Sequence, residues 1–499
     1  LIAKMIVYKI RRIYLFVTKG PLSMTNKTTK TLIFKLLITV KPLVKLTYAI
    51  IIFISGSNLC FSADWPQWLG PNRDGVWGEE GILTKFPKGG PKLLWTSPLS
   101  GGYAGPAIAK GRVFITDRQV SAGKIESDNL FARANSEGTE RLLCLNASNG
   151  KTIWEFSYPC TYKLAYPCGP RCTPVVTDTL VYFLGAMGDL YCLDVNSGKP
   201  IWNKSFTKDY NALVPVWGFS AHPLLDGNKL ICLVGPKKVA VAFDAKTGKE
   251  LWSSLELEKP ESEIGYCPPV IFEIGTAKNN RHLIIWHSES LNGLDPETGK
   301  LLWSEPFRLK ANLSIPTPRL VDNKILVSSF YNGSMLVEID ADKKSSKLIW
   351  KGKGRGETPK QTEGLHSIMA TPFVENGYIF GVCSYGELRC LKLSNGERVW
   401  ENLSATGSQN EPIERWGNAF LIKHDKNFFI FNEKGDLIIS ELSPSGYKEI
   451  DRSHLIDPTG IAPTGGSKRK IVWSHPAFAD KKIFLRNDKE IKCFSLAQE

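Results

Sequence analysis

The residues with the most chemistry in this chain stand at one recurring place. Eight times an apolar stretch is introduced by a small residue and a proline, or a variant of that pair: Gly105-Pro106, Thr173-Pro174, His222-Pro223, Pro268-Pro269, Thr317-Pro318, Thr371-Pro372, Asn418-Ala419 and His475-Pro476. Just ahead of or within these landmarks stand Tyr103, Arg171, Trp217 with His222, Tyr266, Asn312, Glu363 with His366, Arg415 with Trp416, and Trp473 with His475. Connecting segments are ordinarily small and polar; this set is rich in rings, Arg and His. Aromatic faces stack on flat or apolar surfaces and guanidinium groups hold negative charge. Brought together, such residues make a pocket for an anion or a carbohydrate-like ligand. The plainer alternative is that Trp217, Trp416 and Trp473 pack as walls while His222 and His475 bond backbone groups. His222, His366 and His475 invite a metal site, but they belong to three separate copies of the pattern, too far apart to share an ion, and no metal is expected.

Covalent and redox chemistry find no support. The chain has no serine nucleophile elbow, P-loop or dinucleotide fingerprint in a credible setting, and no Cys-x-x-Cys-His for an attached haem. Cys168-Gly-Pro-Arg-Cys172 is a lone pair of thiols rather than a zinc site. Cys160, Cys168 and Cys172 cluster in one connection and are the plausible disulfide partners, with the pairing open. Cys144, Cys192, Cys390 and Cys493 fall in one register of a repeat and read as small buried hydrophobes. Asp117, Glu126 and Asp128 fall in a long connection that reads as a solvated loop. No catalytic residue is assigned.

The elements that must position these residues are repeats of an apolar strand, an Asp or Asn turn with Gly and Lys, and a strand ending in Trp. Asp244-Ala-Lys-Thr-Gly-Lys-Glu-Leu-Trp252 and Asp295-Pro-Glu-Thr-Gly-Lys-Leu-Leu-Trp303 are the clearest copies. Trp154, Trp202, Trp350 and Trp400 end others, the copy ending at Trp350 has a longer turn, and the one from Leu437 to Ile450 has lost its Trp. Each copy is a β-hairpin: Asp194, Asp244 or Asp295 caps backbone two residues on, and Gly198, Gly248 or Gly299 supplies a positive φ. The Trp ring is the packing surface between neighbouring sheets. Successive Trp positions are 48, 50, 51, 47 and 50 residues apart, the content of one four-stranded propeller blade. The last hairpin is only half present, at Ile491–Leu496, and its missing strand is at the other end in Pro91-Lys-Leu-Leu-Trp95. The expected fold is therefore all-β: an eight-bladed β-propeller of four-stranded antiparallel blades, its ring closed by pairing N- and C-terminal strands.

From about residue 64 to 499 the chain resembles the PQQ-like (pyrrolo-quinoline quinone) β-propeller repeat proteins, a group that includes the propeller lipoprotein of the outer-membrane β-barrel assembly machinery and the quinoprotein alcohol dehydrogenases. The entry segment Asp64-Trp-Pro-Gln-Trp-Leu-Gly-Pro-Asn-Arg-Asp-Gly75 is similar to the start of an exported subgroup common in planctomycete-like bacteria. The resemblance implies that each innermost strand follows the connection after the repeat Trp, so the residues ahead of the small-Pro landmarks should converge at one mouth of the central channel. The dehydrogenase branch implies an adjacent-cysteine disulfide, a Trp platform under the quinone, Ca²⁺ ligands from Glu, Asn and Asp, and an Asp base; this chain has no Cys-Cys pair.

The formal charge of +14 is carried by a leader: residues 1–63 hold ten Lys or Arg and no acid, and the remainder has 53 basic against 49 acidic side chains. No nucleic-acid partner is expected. The basic stretch, the apolar run Leu46–Ile54 and Ser55 to Ala63 read as a signal peptide cleaved after Ala63, with an uncleaved anchor as the alternative. Leu59 ahead of Cys60 does not suit a lipoprotein, and residues 1–23 fall upstream of a second start at Met24. The organisation is a leader (1–63), an entry segment (64–90) and the propeller (91–499). The expected protein is a monomer of the periplasm or cell envelope that binds a protein or small ligand at the channel mouth without catalysis. The alternatives are a divergent PQQ- and Ca²⁺-dependent oxidoreductase and a scaffold in outer-membrane protein assembly. No cofactor is expected on the leading reading, and a membrane contact only through a retained leader.

Overall fold

The computed structural model describes residues 64–121, 129–259, 261–275, 280–342, 344–353, 357–407, 413–464 and 467–498. The leader, Cys60, Glu126 and Asp128 lie outside them. Eight four-stranded antiparallel sheets follow one another in chain order, an eight-bladed β-propeller. The first strands of blades 1 to 8 are Ala107–Ala109, Val175–Val176, Leu224–Asp226, Val270–Glu273, Arg319–Val321, Phe373–Glu375, Ala419–His424 and Ala477–Ala479. Each follows its small-Pro landmark, and Ala107–Ala109 lies beside both Val175–Val176 and Ala477–Ala479, so these strands line the hub. Blade 8 is completed by Leu93–Pro98, which pairs with Glu490–Ser495 and brings Trp95 opposite Cys493. A further hairpin, Gly460–Thr464 with Ser467–Ile471, lies between blades 7 and 8.

The repeat residues explain how blades adhere. In the hairpin turns Asp194 and Asp244 accept from the backbone two and three residues on. Gly198 at φ +69° and Gly248 at φ +71° complete the turns. The same glycines seat the Trp of the preceding blade: a Cβ on Gly198 would lie 2.5 Å from the Trp154 ring, and one on Gly150 2.5 Å from Trp95. Each docked indole then donates to a carbonyl in the neighbouring hairpin, Trp95 to Ala147 (2.9 Å), Trp154 to Val195 (3.1 Å), Trp202 to Ala245 (3.1 Å), Trp350 to Leu393 (2.8 Å) and Trp400 to Ser443 (2.8 Å). Cys144, Cys192, Cys390 and Cys493, all fully buried, pair directly with Trp154, Trp202, Trp400 and Trp95; a small side chain there leaves room for the ring.

Two positions depart from this scheme. Trp252 sits on Gly299, with no acceptor for its Nε1–H among the described residues. Trp303 faces blade 5, whose longer turn has no glycine, and folds instead over its own sheet. Its partner there is Gly293, where a Cβ would be 2.2 Å from the indole, and its Nε1–H donates to His282 Nδ1 at 3.0 Å.

Residues 64–77 run across the hub rather than around it. Trp65 exchanges backbone hydrogen bonds with Ile108 of blade 1, and Pro66 accepts from Val176 of blade 2. The Arg73 guanidinium donates to the carbonyls of His222, Pro223 and Pro269, ahead of blades 3 and 4. Trp68 donates to Thr317 Oγ1 (3.0 Å) and Arg319 of blade 5 to the Asp74 carbonyl (2.7 Å). Gly75 abuts Phe373 of blade 6, Trp77 and Gly75 bond Lys423 of blade 7, and Trp65 packs on Phe478 of blade 8. Arg73 has carbonyl dipoles and Gln67 for partners, and burial pulls its pKa down to about 10, still cationic at neutral pH.

Candidate functional site

Above this plug the connections leading into the innermost strands enclose a cavity of about 480 Å³, within the roughly 300–1,000 Å³ usual for small-molecule sites. Nine of the twelve residues singled out from sequence line it: Tyr103, Arg171, Trp217, His222, Tyr266, Arg415, Trp416, Trp473 and His475. Asn312, Glu363 and His366 do not. Asn312 lies in a left-handed turn at φ +58°, and Glu363 is exposed. His366 is fully buried, its Nδ1 bonded to the Phe330 carbonyl at 3.0 Å, and burial lowers its pKa to about 4. Those connections present Leu313, Ile315, Ile368 and Met369 to the cavity instead, a side of the pocket that a search for polar and aromatic residues passes over.

Trp68 forms the floor. His222 stacks on it at 4.0 Å between ring centroids and 11° between planes, and His475 meets it edge-on at 4.9 Å and 60°. The Thr173 N–H donates to His222 Nδ1 at 2.9 Å, so the proton is assigned to Nε2. In His475 the assignment is reversed, Nδ1–H donating to the Pro476 carbonyl at 2.6 Å. Burial lowers the His475 pKa to about 4 and that of His222 well below its usual value, the latter helped by nearby Arg73. Both rings are neutral at physiological pH, and each carries a backbone bond.

The two arginines differ. Arg415 is paired with Glu357 at 2.7 Å and lies 4.3 Å over the Trp416 ring, so its charge is matched and its plane backs an indole. Arg171 donates to the carbonyls of Gly169, Ala165 (3.0 Å) and Tyr166 (2.5 Å), facing the rings of Tyr103 at 5.3 Å and Tyr162 at 5.8 Å. It has no carboxylate partner among the described residues. An aromatic arc closes one side, Trp416 to Phe131 at 5.8 Å, Phe131 to Tyr166 at 5.3 Å and Tyr166 to Trp473 at 6.1 Å. The Trp473 indole is fixed by Glu433 (2.8 Å), itself held by Arg469. Trp217 and Tyr266 meet edge-on at 5.7 Å and 73°, and the Tyr266 hydroxyl donates to Glu263. Among the described residues no Asp or Glu lines the cavity, and no group of His, Cys, Asp and Glu is arranged to hold a metal.

Trp68, Phe131, Tyr166 and Tyr331 are lining residues that the landmark reading missed. They come from the entry segment, from long connections and from a turn within blade 5, none of which the repeat places. One other expectation is corrected. Asp117 is no loop residue: it is fully buried in the strand Arg112–Val120, where Arg141 grips both carboxylate oxygens (2.8 and 2.6 Å) and Ser100 N–H donates to it. Cys160, Cys168 and Cys172 stand as free thiols, each with its own neighbour. Cys160 packs with Tyr162, Leu164 and Ala186, Cys168 donates to Asp488 of blade 8 at 3.3 Å, and Cys172 points at the Phe219 carbonyl at 3.7 Å.

The family model described as outer membrane protein assembly factor BamB matches residues 138–402, more than half of the chain. The chain belongs to this family. Solved structures share the fold at low identity. BamB from Moraxella catarrhalis is 14% identical with a TM-score of 0.51, over 81% of this chain and 99% of that one. The quinohemoprotein alcohol dehydrogenase of Comamonas testosteroni is 13% identical with a TM-score of 0.55, over 88% of this chain and 81% of that one. ADHIIG, a quinohemoprotein alcohol dehydrogenase of Pseudomonas putida HK5, is 10% identical with a TM-score of 0.53 over the same shares. No curated protein sequence matches the chain. No helix among the described residues is long and apolar enough to cross a membrane.

Proposed function

We propose that this family member is an exported, non-catalytic binding propeller that holds a small ligand, or a side chain of a partner protein, in the aromatic cup at one mouth of its channel. The observation that carries the reading is the lining: Trp68, Trp217, Trp416 and Trp473 around a cavity with Arg171 and Arg415 and no described carboxylate. Stacking surfaces with a few oriented charges suit binding. The test is calorimetry of the purified chain against a panel of organic anions and oligosaccharides. Arg171→Ala and Trp416→Ala should each weaken whatever binds by about tenfold or more. Unchanged binding of every such ligand in both variants would end the reading.

Two alternatives stem from the family. A quinone held on Ca²⁺ would need hard oxygen ligands, and the described lining supplies no carboxylate while Asn312 and Glu363 lie off the cavity; the residues do not fit the group. Adding PQQ with Ca²⁺ and looking for dye reduction with alcohols tests this. A scaffold role in outer-membrane protein assembly has the family match in its favour, and co-purification with an outer-membrane β-barrel would support it. Export by the leader predicts a mature N-terminus at Asp64, readable by mass spectrometry.

A further inference from the structure

Polarity is segregated within the cup. Arg171 stands on the connection entering blade 2, while Ile368 and Met369 stand on that entering blade 6, half a turn away in an eight-bladed ring. Leu313 and Ile315, on the connection entering blade 5, extend the same aliphatic side. Of the two lining cations, Arg415 is already matched by Glu357 at 2.7 Å, whereas Arg171 is clamped by three carbonyl groups with no described carboxylate. A guanidinium held this way is pre-oriented and retains its charge for a ligand. A sugar, by contrast, needs a partner for each hydroxyl it buries. The described lining has no Asn, Gln, Asp or Glu; its hydroxyls are those of Ser220 and four tyrosines, of which Tyr266 and Tyr331 are already bonded to Glu263 and Arg415.

We infer that the cup selects an amphipathic monoanion, a single carboxylate or sulfonate head on an apolar body, with the head on Arg171 and the body against the Trp68 floor and the aliphatic side near Met369. This builds on the reading of the cup as a binding site and names its ligand class. One uncompensated cation calls for one anionic group, and the neutral His222 and His475 add no second charge.

The test uses two fluorescent probes with the same aromatic body, anilinonaphthalene sulfonate and the uncharged N-phenylnaphthylamine, titrated into the full chain. The expected result is one site for both, with the sulfonate bound more tightly. Arg171→Met should weaken the sulfonate by roughly 10- to 100-fold and leave N-phenylnaphthylamine within about twofold. Arg171→Lys should recover part of the loss, and Met369→Asp should weaken both probes. Circular dichroism of each variant confirms the fold, and the preference of the unaltered chain for the sulfonate is an independent readout. If the two probes bind equally and Arg171→Met changes neither while Trp416→Ala weakens both, the anion assignment is overturned and the cup stands. If Trp416→Ala and Met369→Asp leave both probes unaffected, the cup itself is refuted.

Discussion

Two glycines with nearly the same backbone isolate what the docked tryptophans contribute. Gly198 has φ +69° and Gly111 φ +70°, so alanine pays the same left-handed penalty at both, about 1 kcal/mol. At Gly111 a Cβ meets nothing within 4 Å, and at Gly198 it would lie 2.5 Å from the Trp154 ring. Carbon atoms rest about 3.5–4.0 Å apart, so the indole must retreat by about 1 Å. That breaks the 3.1 Å bond from Trp154 Nε1–H to the Val195 carbonyl. The lost bond costs about 1 kcal/mol and the disturbed packing about 1–3 kcal/mol. Gly198→Ala should therefore lose about 2–4 kcal/mol more stability than Gly111→Ala. Urea unfolding of the two variants followed by circular dichroism, with the unaltered chain as reference, measures the difference. Equal midpoints for the two variants would refute the view that this ring joins blades 1 and 2.

Further outcomes follow from the closure, the histidines and the thiols. Trp95→Ala removes a buried indole and its bond to Ala147 and should cost about 3–5 kcal/mol in the same assay. His475 titrates at about 4 in the folded chain against 6.5 unfolded, so between these values only the unfolded chain takes up its proton. Its share of stability is complete above about pH 6.5 and falls on acidification toward pH 4 by about 1.4 kcal/mol per unit. His475→Asn should flatten the pH dependence of the unfolding midpoint by that amount. All ten described cysteines are free, so chain denatured without reductant should show each of them to a thiol reagent; a missing pair would restore the disulfide.

The blades and their closure were legible because the hairpin is written by local rules. An Asp that caps its own turn, a glycine at positive φ and a terminal Trp recur at the period of one blade, and the half hairpin at Ile491–Leu496 announces the strand at Trp95. The site was legible where a connection carries Arg or an aromatic residue next to a landmark, as at Arg171, Trp416 and Trp473. It was not legible where burial or distance in sequence decides. His366 has the same spacing as a pocket residue but turns inward to the Phe330 carbonyl. Asp117 reads as a loop acid until Arg141 on the adjacent strand is seen to neutralise it. Trp68 lies some hundreds of residues from Thr317, the partner that fixes it, and no local pattern reports such a contact.

The hub segment and the closing strand also order events in time. Residues 64–77 are satisfied only by all eight blades together, and Leu93 finds Phe494 across roughly 400 residues of chain. A chain emerging from its N-terminus therefore makes these stretches before any blade is complete and completes them last, after the final hairpin exists. Until then the unpaired strand at Trp95 and the aromatic segment around Trp68 are sticky surfaces in search of partners. Whatever escorts this protein to maturity has the stretch from Trp65 to Trp95 to shield.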